Sequence, residues 1–315
     1  MNNKVKGYIL GIIAAASYGT NPLFALPLYA DGMNPDSVLL LRYIAAIPVV
    51  AIIMAIRGRG FGVTLRQFGA LALMGVLMAV SSLSLFMSYT YMDAGIASTL
   101  LFVYPVMVAV IMAVIYKERI SLVTIVCIAV VLTGISMLGR DGNGASLSLI
   151  GVTIVMMSSL CYAIYIVGIN KSSLNHVPTL TVTFWVLVFG AMVFAGRLML
   201  PSVPLSLPSS TGNQWLLWGC VAGLAILPTA VSFLCTTGAI QYIGSTPTAI
   251  LGALEPVTAI LTGVFVFGET LSPLDIIGII LIISAVSVIV GGSTTAARLG
   301  AHLLRIRRLF PSRRS

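Results

Sequence analysis

Long apolar stretches, each closed by a charged or turn-forming break, fill most of the chain. Read between those breaks, they predict ten helices at about 7–28, 37–56, 68–90, 95–116, 121–139, 147–169, 179–200, 215–238, 245–267 and 273–291. The breaks include Asp31-Gly32, Arg57-Gly58-Arg59-Gly60, Lys117-Glu118-Arg119, Asp141-Gly142-Asn143-Gly144 and the Pro/Ser-rich run Pro201–Gln214. A bilayer core is crossed by about 20 mostly apolar residues, and these stretches are of that order. The expectation is an all-α integral membrane protein with ten transmembrane helices. The first stretch follows Lys4 and Lys6 as a signal peptide would. It is too long for an h-region and no A-x-A pattern closes it, so it reads as a retained span.

Composition sharpens this picture. Of 315 residues, 59% are hydrophobic and 8% charged, against roughly 25% charged in a soluble domain, and the mean hydropathy is +1.09. That excludes a soluble enzyme, a disordered chain and a nucleic-acid-binding domain. The net charge of +9 is a topology signal rather than a nucleic-acid footprint. With the N-terminus in the cytoplasm, fourteen of the seventeen basic residues fall on that side: Lys4, Lys6, Arg57, Arg59, Arg66, Lys117, Arg119, Lys171 and six tail arginines. Arg42, Arg140 and Arg197 are on or near the far side. Ten spans with both termini cytoplasmic satisfy this asymmetry and an odd number does not. The expected location is a plasma membrane, specifically a bacterial inner membrane, crossed many times.

Trp215 and Trp218 then sit at the outer end of the eighth span, in an aromatic belt. In the tail, Leu299, Leu303, Ile306 and Phe310 recur at helical spacing beside arginines, which predicts a helix lying on the anionic cytoplasmic leaflet. The four cysteines fall inside apolar runs without CxxC spacing and read as small core residues. No metal or other cofactor is expected. A homodimer is compatible with the sequence.

The chain also repeats itself. At an offset of 151, Tyr91, Leu100, Pro105, Val106, Glu118 and Ser121 match Tyr242, Leu251, Pro256, Val257, Glu269 and Ser272, and Ser81 matches Ser232. Gly7/Gly151 and Tyr18/Tyr162 pair at 144, and Pro35/Pro178 at 143. Five spans per copy is an odd number, so the copies must be inverted, the signature of secondary transporters.

Leu100–Ser121, ending Tyr116-Lys117-Glu118-Arg119-Ile120-Ser121, and Leu254-Glu255-Pro256-Val257…Gly268-Glu269-Thr270-Leu271-Ser272 resemble the paired EamA signatures of the drug/metabolite transporter superfamily. Pro35 followed by Arg42-Tyr43 resembles that family's second-helix pattern. The second copy has Trp185 where Arg42 would fall, so Arg42 lacks a symmetric partner. The resemblance implies two five-helix repeats, 5–140 and 147–291, followed by the basic tail 292–315, and a central cavity open alternately to each side.

Polar residues inside spans are the candidates for function, because a bilayer penalises them unless they are paired or face a cavity. Tyr18 and Asn21 lie on the first span, Ser81 and Ser84 on the third, and Tyr162 and Tyr165 on the sixth, while Ser232 is on the eighth and Thr248 and Glu255 on the ninth. Together they are candidate cavity residues, although Ser and Thr also line plain helix–helix contacts. Glu255 is the one carboxylate near the middle of a span. It is a candidate proton carrier or partner for a cationic group, or else it bonds backbone freed by Pro256. Arg42 lies roughly 9 Å into the second span at 1.5 Å per residue. It is an outer-mouth charge that snorkels outward or pairs with Asp36 or Asp93, or it captures a substrate carboxylate. Asn21-Pro22 either unwinds the first span or kinks it.

These features predict a secondary transporter exporting a small polar solute such as an amino acid. The tyrosines and the lone carboxylate leave a multidrug, organic-cation exporter as the alternative. No GxxxxGK[ST] loop is present for ATP-driven pumping. An intramembrane enzyme finds no His in a span, no HExxH and no G-x-S-x-G, and a channel finds no charge ring.

Overall fold

The structure is a computed structural model that describes residues 3–91, 97, 100–118, 121–137, 148–201, 203–209, 214–267, 273–274, 276–286 and 288. Its elements are helices: α1 (Asn3–Ala30), α2 (Pro35–Ile56), α3 (Leu65–Ser88), α4 (Tyr104–Val114), α5 (Leu122–Met137), α6 (Leu149–Lys171), α7 (Thr179–Leu198), α8 (Gln214–Ile243), α9 (Ser245–Leu251), α10 (Leu254–Phe267) and α11 (Ile276–Val286). Six of these, α1, α2, α3, α6, α7 and α8, are long and apolar enough to cross a membrane. Helices dominate because a chain in hydrocarbon must satisfy its backbone groups internally. The strongly β-branched α5, for example, is helical although those residues favour strands in water.

Side chains close the helix ends. The Asn34 carboxamide accepts the Ser37 amide at 2.8 Å in front of Pro35. Thr64 and Gln67 form a reciprocal capping box on α3, and Ser148 caps α6. Two spans are not regular throughout. α1 breaks at Gly19-Thr20, just before Asn21-Pro22, and α8 carries a π-helical stretch, Ala225–Val231, around Pro228. The predicted ninth span is likewise split, at Gly252-Ala253, into α9 and α10.

The packing pairs obey an exchange of the two halves. α1 lies along α8 as α6 lies along α3, and α3 meets α7 as α8 meets α2. The contact of α4 with α6 is matched by that of α9 and α10 with α1, while α2 and α7 meet each other. Serines hold equivalent crossings. Ser158 Oγ donates to the Ser81 carbonyl at 2.7 Å, and Ser232 Oγ donates to the Ala14 carbonyl at 3.0 Å.

The loops gather at two ends. At one, Arg197 Nε donates to Asp36 Oδ1 at 2.6 Å, Asn34 Nδ2 to the Pro204 carbonyl, and the Ser209 amide to Asp31. At the other, Lys6 Nζ bonds the Tyr242 hydroxyl at 3.0 Å and Trp185 Nε1 bonds the Phe61 carbonyl. Lys171 pairs there with Glu118 and lies over the Tyr116 ring. These are called below the Asp36 end and the Lys6 end. The predicted tail helix, Asp93, Arg140 and Glu269 lie outside the described residues.

Candidate functional site

The site follows from three interrupted helices meeting on the seam between the halves. α1 runs inward from the Lys6 end, so Gly11, Ala14 and Ala15 precede Tyr18 and Asn21 along the path to the Asp36 end. Gly19 touches the Glu255 backbone. A Cβ there would stand 2.4 Å from the Glu255 carbonyl oxygen, so only glycine lets the α1 break approach the start of α10. Glu255 is thereby held at the middle of the seam, 8% exposed.

Two small cavities flank its carboxyl. Toward the Asp36 end, one of about 30 Å³ is lined by Tyr18, Asn21, Pro22, Tyr89, Phe102 and Glu255. Toward the Lys6 end, another of about 10 Å³ is lined by Ala14, Tyr104, Tyr162, Thr236, Thr248 and Glu255. They have room for a water or two and for barely one, so the seam is closed on both sides of the carboxyl. Among the described residues no hydrogen bond reaches the Glu255 carboxyl, so the backbone bond foreseen for it beside Pro256 is not made. The Tyr104 hydroxyl donates to the Ala249 carbonyl at 3.1 Å, and its ring meets Tyr162 edge-on at 4.8 Å.

Arg42 corrects its expected place as an outer-mouth charge. It is fully buried, and it neither snorkels nor meets Asp36, whose carboxylate is taken by Arg197. The physical reason is a set of polar partners deeper in the fold. Arg42 Nε donates to Thr229 Oγ1 at 2.9 Å, Nη1 donates to Asn21 Oδ1 at 3.1 Å, and the guanidinium stands 5.3 Å from the centre of the Phe86 ring and 5.6 Å from that of Tyr43. Thr229 belongs to the π-helical stretch of α8, and its hydroxyl donates onward to the Leu224 carbonyl.

Of the candidates read from the sequence, Tyr18, Asn21, Tyr162, Thr248 and Glu255 line these cavities, and Arg42 joins them through Asn21. Ser81 and Ser232 are taken up in helix crossings. Tyr165 is buried against Thr237 at 3.5 Å and stacked on Tyr162. Ser84 is half-buried and lines neither cavity. Sequence reasoning missed Tyr89 and Tyr104. The repeat held a signal for Tyr104, which stands 151 residues before Glu255 and directly before Pro105.

A larger cavity of about 850 Å³ opens at the Lys6 end, lined by Lys6, Arg57, Arg59, His176, Gln241 and Tyr242 among others. It shares no lining residue with the two at Glu255. No group of His, Cys, Asp and Glu able to hold a metal occurs among the described residues.

A multi-pass helical bundle with broken helices around a buried polar seam is the build of a membrane transporter. The EamA-like transporter family matches the chain twice, at residues 5–140 and 149–291, and the chain belongs to that family. An uncharacterized transporter of Clostridium kluyveri is 25% identical over 287 residues, covering 88% of this chain and 91% of its own. The threonine/homoserine exporter RhtA of Escherichia coli is 26% identical over 214 residues, covering 67% of each chain. One solved crystal structure has the same fold, with a TM-score of 0.73 at 19% identity over 93% of this chain and 98% of that one.

Proposed function

We propose that this protein is a secondary transporter that exports a small polar metabolite, an amino acid in the first instance, by alternating access and without ATP. It acts as a carrier rather than an enzyme or a channel, in a bacterial inner membrane with both termini cytoplasmic. The observation that carries the reading is the Glu255 carboxyl, free of hydrogen bonds among the described residues and set between a cavity toward each end of the molecule. A carrier needs a solute-binding group that either side can reach in turn, and a carboxyl left without partners in a membrane interior is costly unless a ligand or proton completes it. The likeness to RhtA, named for threonine and homoserine, favours an amino acid as the solute.

The aromatic wall around Glu255 favours a second reading. Tyr18, Tyr89, Tyr104 and Tyr162 surround one carboxylate, which suits an organic cation. Counterflow in proteoliposomes separates the two. The leading reading expects saturable exchange of labelled L-threonine against internal L-threonine with no ATP present. Exchange of lipophilic cations alone would move the assignment to the second reading, and non-saturable flux would remove the carrier assignment.

A further inference from the structure

Arg42 is more than a packing residue, because its surroundings leave donors unmet. Its guanidinium is fully buried, and among the described residues no carboxylate forms an ion pair with it. Nε and Nη1 are engaged, while Nη2 is buried with no partner among the described residues. Asn21, 2% exposed, must turn its Oδ1 toward Arg42 to accept the Nη1 bond. That leaves its Nδ2 as a second buried donor without a partner. The Tyr29 hydroxyl, on a ring that meets Phe86 edge-on, is a third buried group with none among the described residues. Buried polar groups are ordinarily satisfied, and here the orphaned donors of Arg42 and Asn21 stand at a positive charge that no carboxylate pairs among the described residues.

Both irregular stretches of the long helices also converge on this arginine. The α1 break delivers Asn21, and the π-helical stretch of α8 delivers Thr229. Interrupted helices of this kind mark solute sites in membrane carriers, and a π-helical turn often marks a functional position. The arrangement is joined to Glu255, since Asn21, Tyr18 and Glu255 line one cavity and Tyr18 lies within electrostatic reach of both Arg42 and Glu255.

We propose that Arg42 and Asn21 form a buried carboxylate site, so that the seam reads both ends of an α-amino acid: the carboxylate on Arg42 Nη2 and Asn21 Nδ2, the ammonium on Glu255. This rests on the amino-acid reading given above and assigns its chemistry. One guanidinium matches one carboxylate, and the planar fork of arginine suits it. A phosphate would bring a second negative charge toward Glu255. In the closed seam the cavity lined by Asn21 and Glu255 has room only for water, so a solute enters by parting α1 from α10 at the Gly19 contact.

The test is a binding series on the purified full-length protein, read by thermal shift. The probes are L-threonine, L-threoninol, which lacks the carboxylate, and N-acetyl-L-threonine, which lacks the ammonium. The wild type is expected to need at least about tenfold more of either analogue than of L-threonine, the equivalent of one charge-assisted contact. Arg42→Gln should weaken L-threonine about tenfold, to the level of L-threoninol, and leave L-threoninol where it was. Glu255→Gln should bring L-threonine to the level of N-acetyl-L-threonine. Arg42→Lys keeps the charge without the fork and should fall between, which guards against a folding failure of the glutamine variant. Equal wild-type binding of L-threonine and L-threoninol overturns the carboxylate site and leaves the transport reading standing. A wild type that answers to amines and not to amino acids, with Glu255→Gln abolishing the response, overturns both. If Arg42→Gln weakens L-threoninol as much as L-threonine, Arg42 is structural and the proposal falls.

Discussion

Tyr104-Pro105 and Glu255-Pro256 stand 151 residues apart, at the same step of the two halves. Each follows a short break in its span, at Phe102-Val103 and at Gly252-Ala253, and each lies in the first turn of the helix beyond, α4 or α10. Both residues line the same small cavity at the seam. Their commitments differ. The Tyr104 hydroxyl is bonded to the Ala249 carbonyl and its ring is wedged beside Tyr162, whereas the Glu255 carboxyl has no hydrogen bond among the described residues. The two halves supply matching positions, and here one is a packing wedge while the other is left open to chemistry. Glu255→Gln should therefore cost most, about 100-fold or more in counterflow rate, the equivalent of roughly 2.7 kcal/mol of lost charged interaction. Tyr104→Phe should stay within about fivefold. Equal losses in the two variants would break the comparison.

The wedge itself predicts the next largest effect. A Cβ on Gly252 would stand 1.6 Å from the Tyr104 oxygen and 3.0 Å from its Cζ. Gly252→Ala should destabilise the fold by about 1–3 kcal/mol, the usual cost of overpacking a filled site, seen as a lower melting temperature in detergent. Adding Tyr104→Phe removes the clashing oxygen and should restore part of that loss. No recovery in the double variant would mean that the wedge is not what Gly252 accommodates.

How far the sequence reached follows from the same contrast. Hydrophobic runs made the helices legible, since apolar length and charged breaks act locally along the chain. The offset repeat paired Ser81 with Ser232 and Pro105 with Pro256, but it did not show that the two serines, read as cavity candidates, are taken up in helix crossings. Breaks inside spans were harder to read. Pro228 marks a disturbed turn in the eighth span but not that it is π-helical, and Asn21-Pro22 left both unwinding and kinking open. Arg42 was placed at a rim because distance along the helix from the membrane edge was its only visible coordinate. Its partners, Asn21 and Thr229, come from α1 and α8, 21 and 187 residues away, and only the packing brings them together. Tyr165 is of the same residue type as the cavity-lining Tyr18 and Tyr162 but turns to Thr237, and Ser84 lines neither cavity.

Where the halves are alike, substitutions should act alike. Ser158→Ala and Ser232→Ala each remove a donor bonded to a carbonyl of the facing helix, at 2.7 and 3.0 Å, and Ser158→Ala also removes the longer 3.2 Å contact with Ser81 Oγ. Hydrogen bonds between membrane helices average about 0.6 kcal/mol, so both variants should lose roughly that much, in near-equal amounts and with transport retained. A several-fold larger transport defect in one of them would reveal an asymmetry at a crossing that the packing treats as equivalent.

The smallest effect is expected where the two halves differ near the Asp36 end. Asp36 of α2 makes a forked pair with Arg197, Nε to Oδ1 at 2.6 Å and Nη2 to Oδ2 at 3.4 Å. By the offset of Pro35 and Pro178 its counterpart is Thr179, which makes a neutral bond to Gln241 Oε1. The Arg197 side chain is 35% exposed and that of Asp36 8%, so water and salt reach the pair from the arginine side and weaken it toward the roughly 0–1 kcal/mol of exposed pairs. Asp36→Asn should lower the melting temperature slightly at low salt, and the difference from wild type should close as ionic strength rises and the Debye length shrinks. Counterflow should be unchanged, because the carboxylate ties α2 to α7 and does not serve Arg42. If Asp36→Asn instead lost transport on the scale of Glu255→Gln, Asp36 would be the working counter-ion of Arg42 in another state of the carrier, and the asymmetry at the Asp36 end would belong to the transport cycle rather than to the frame that supports it.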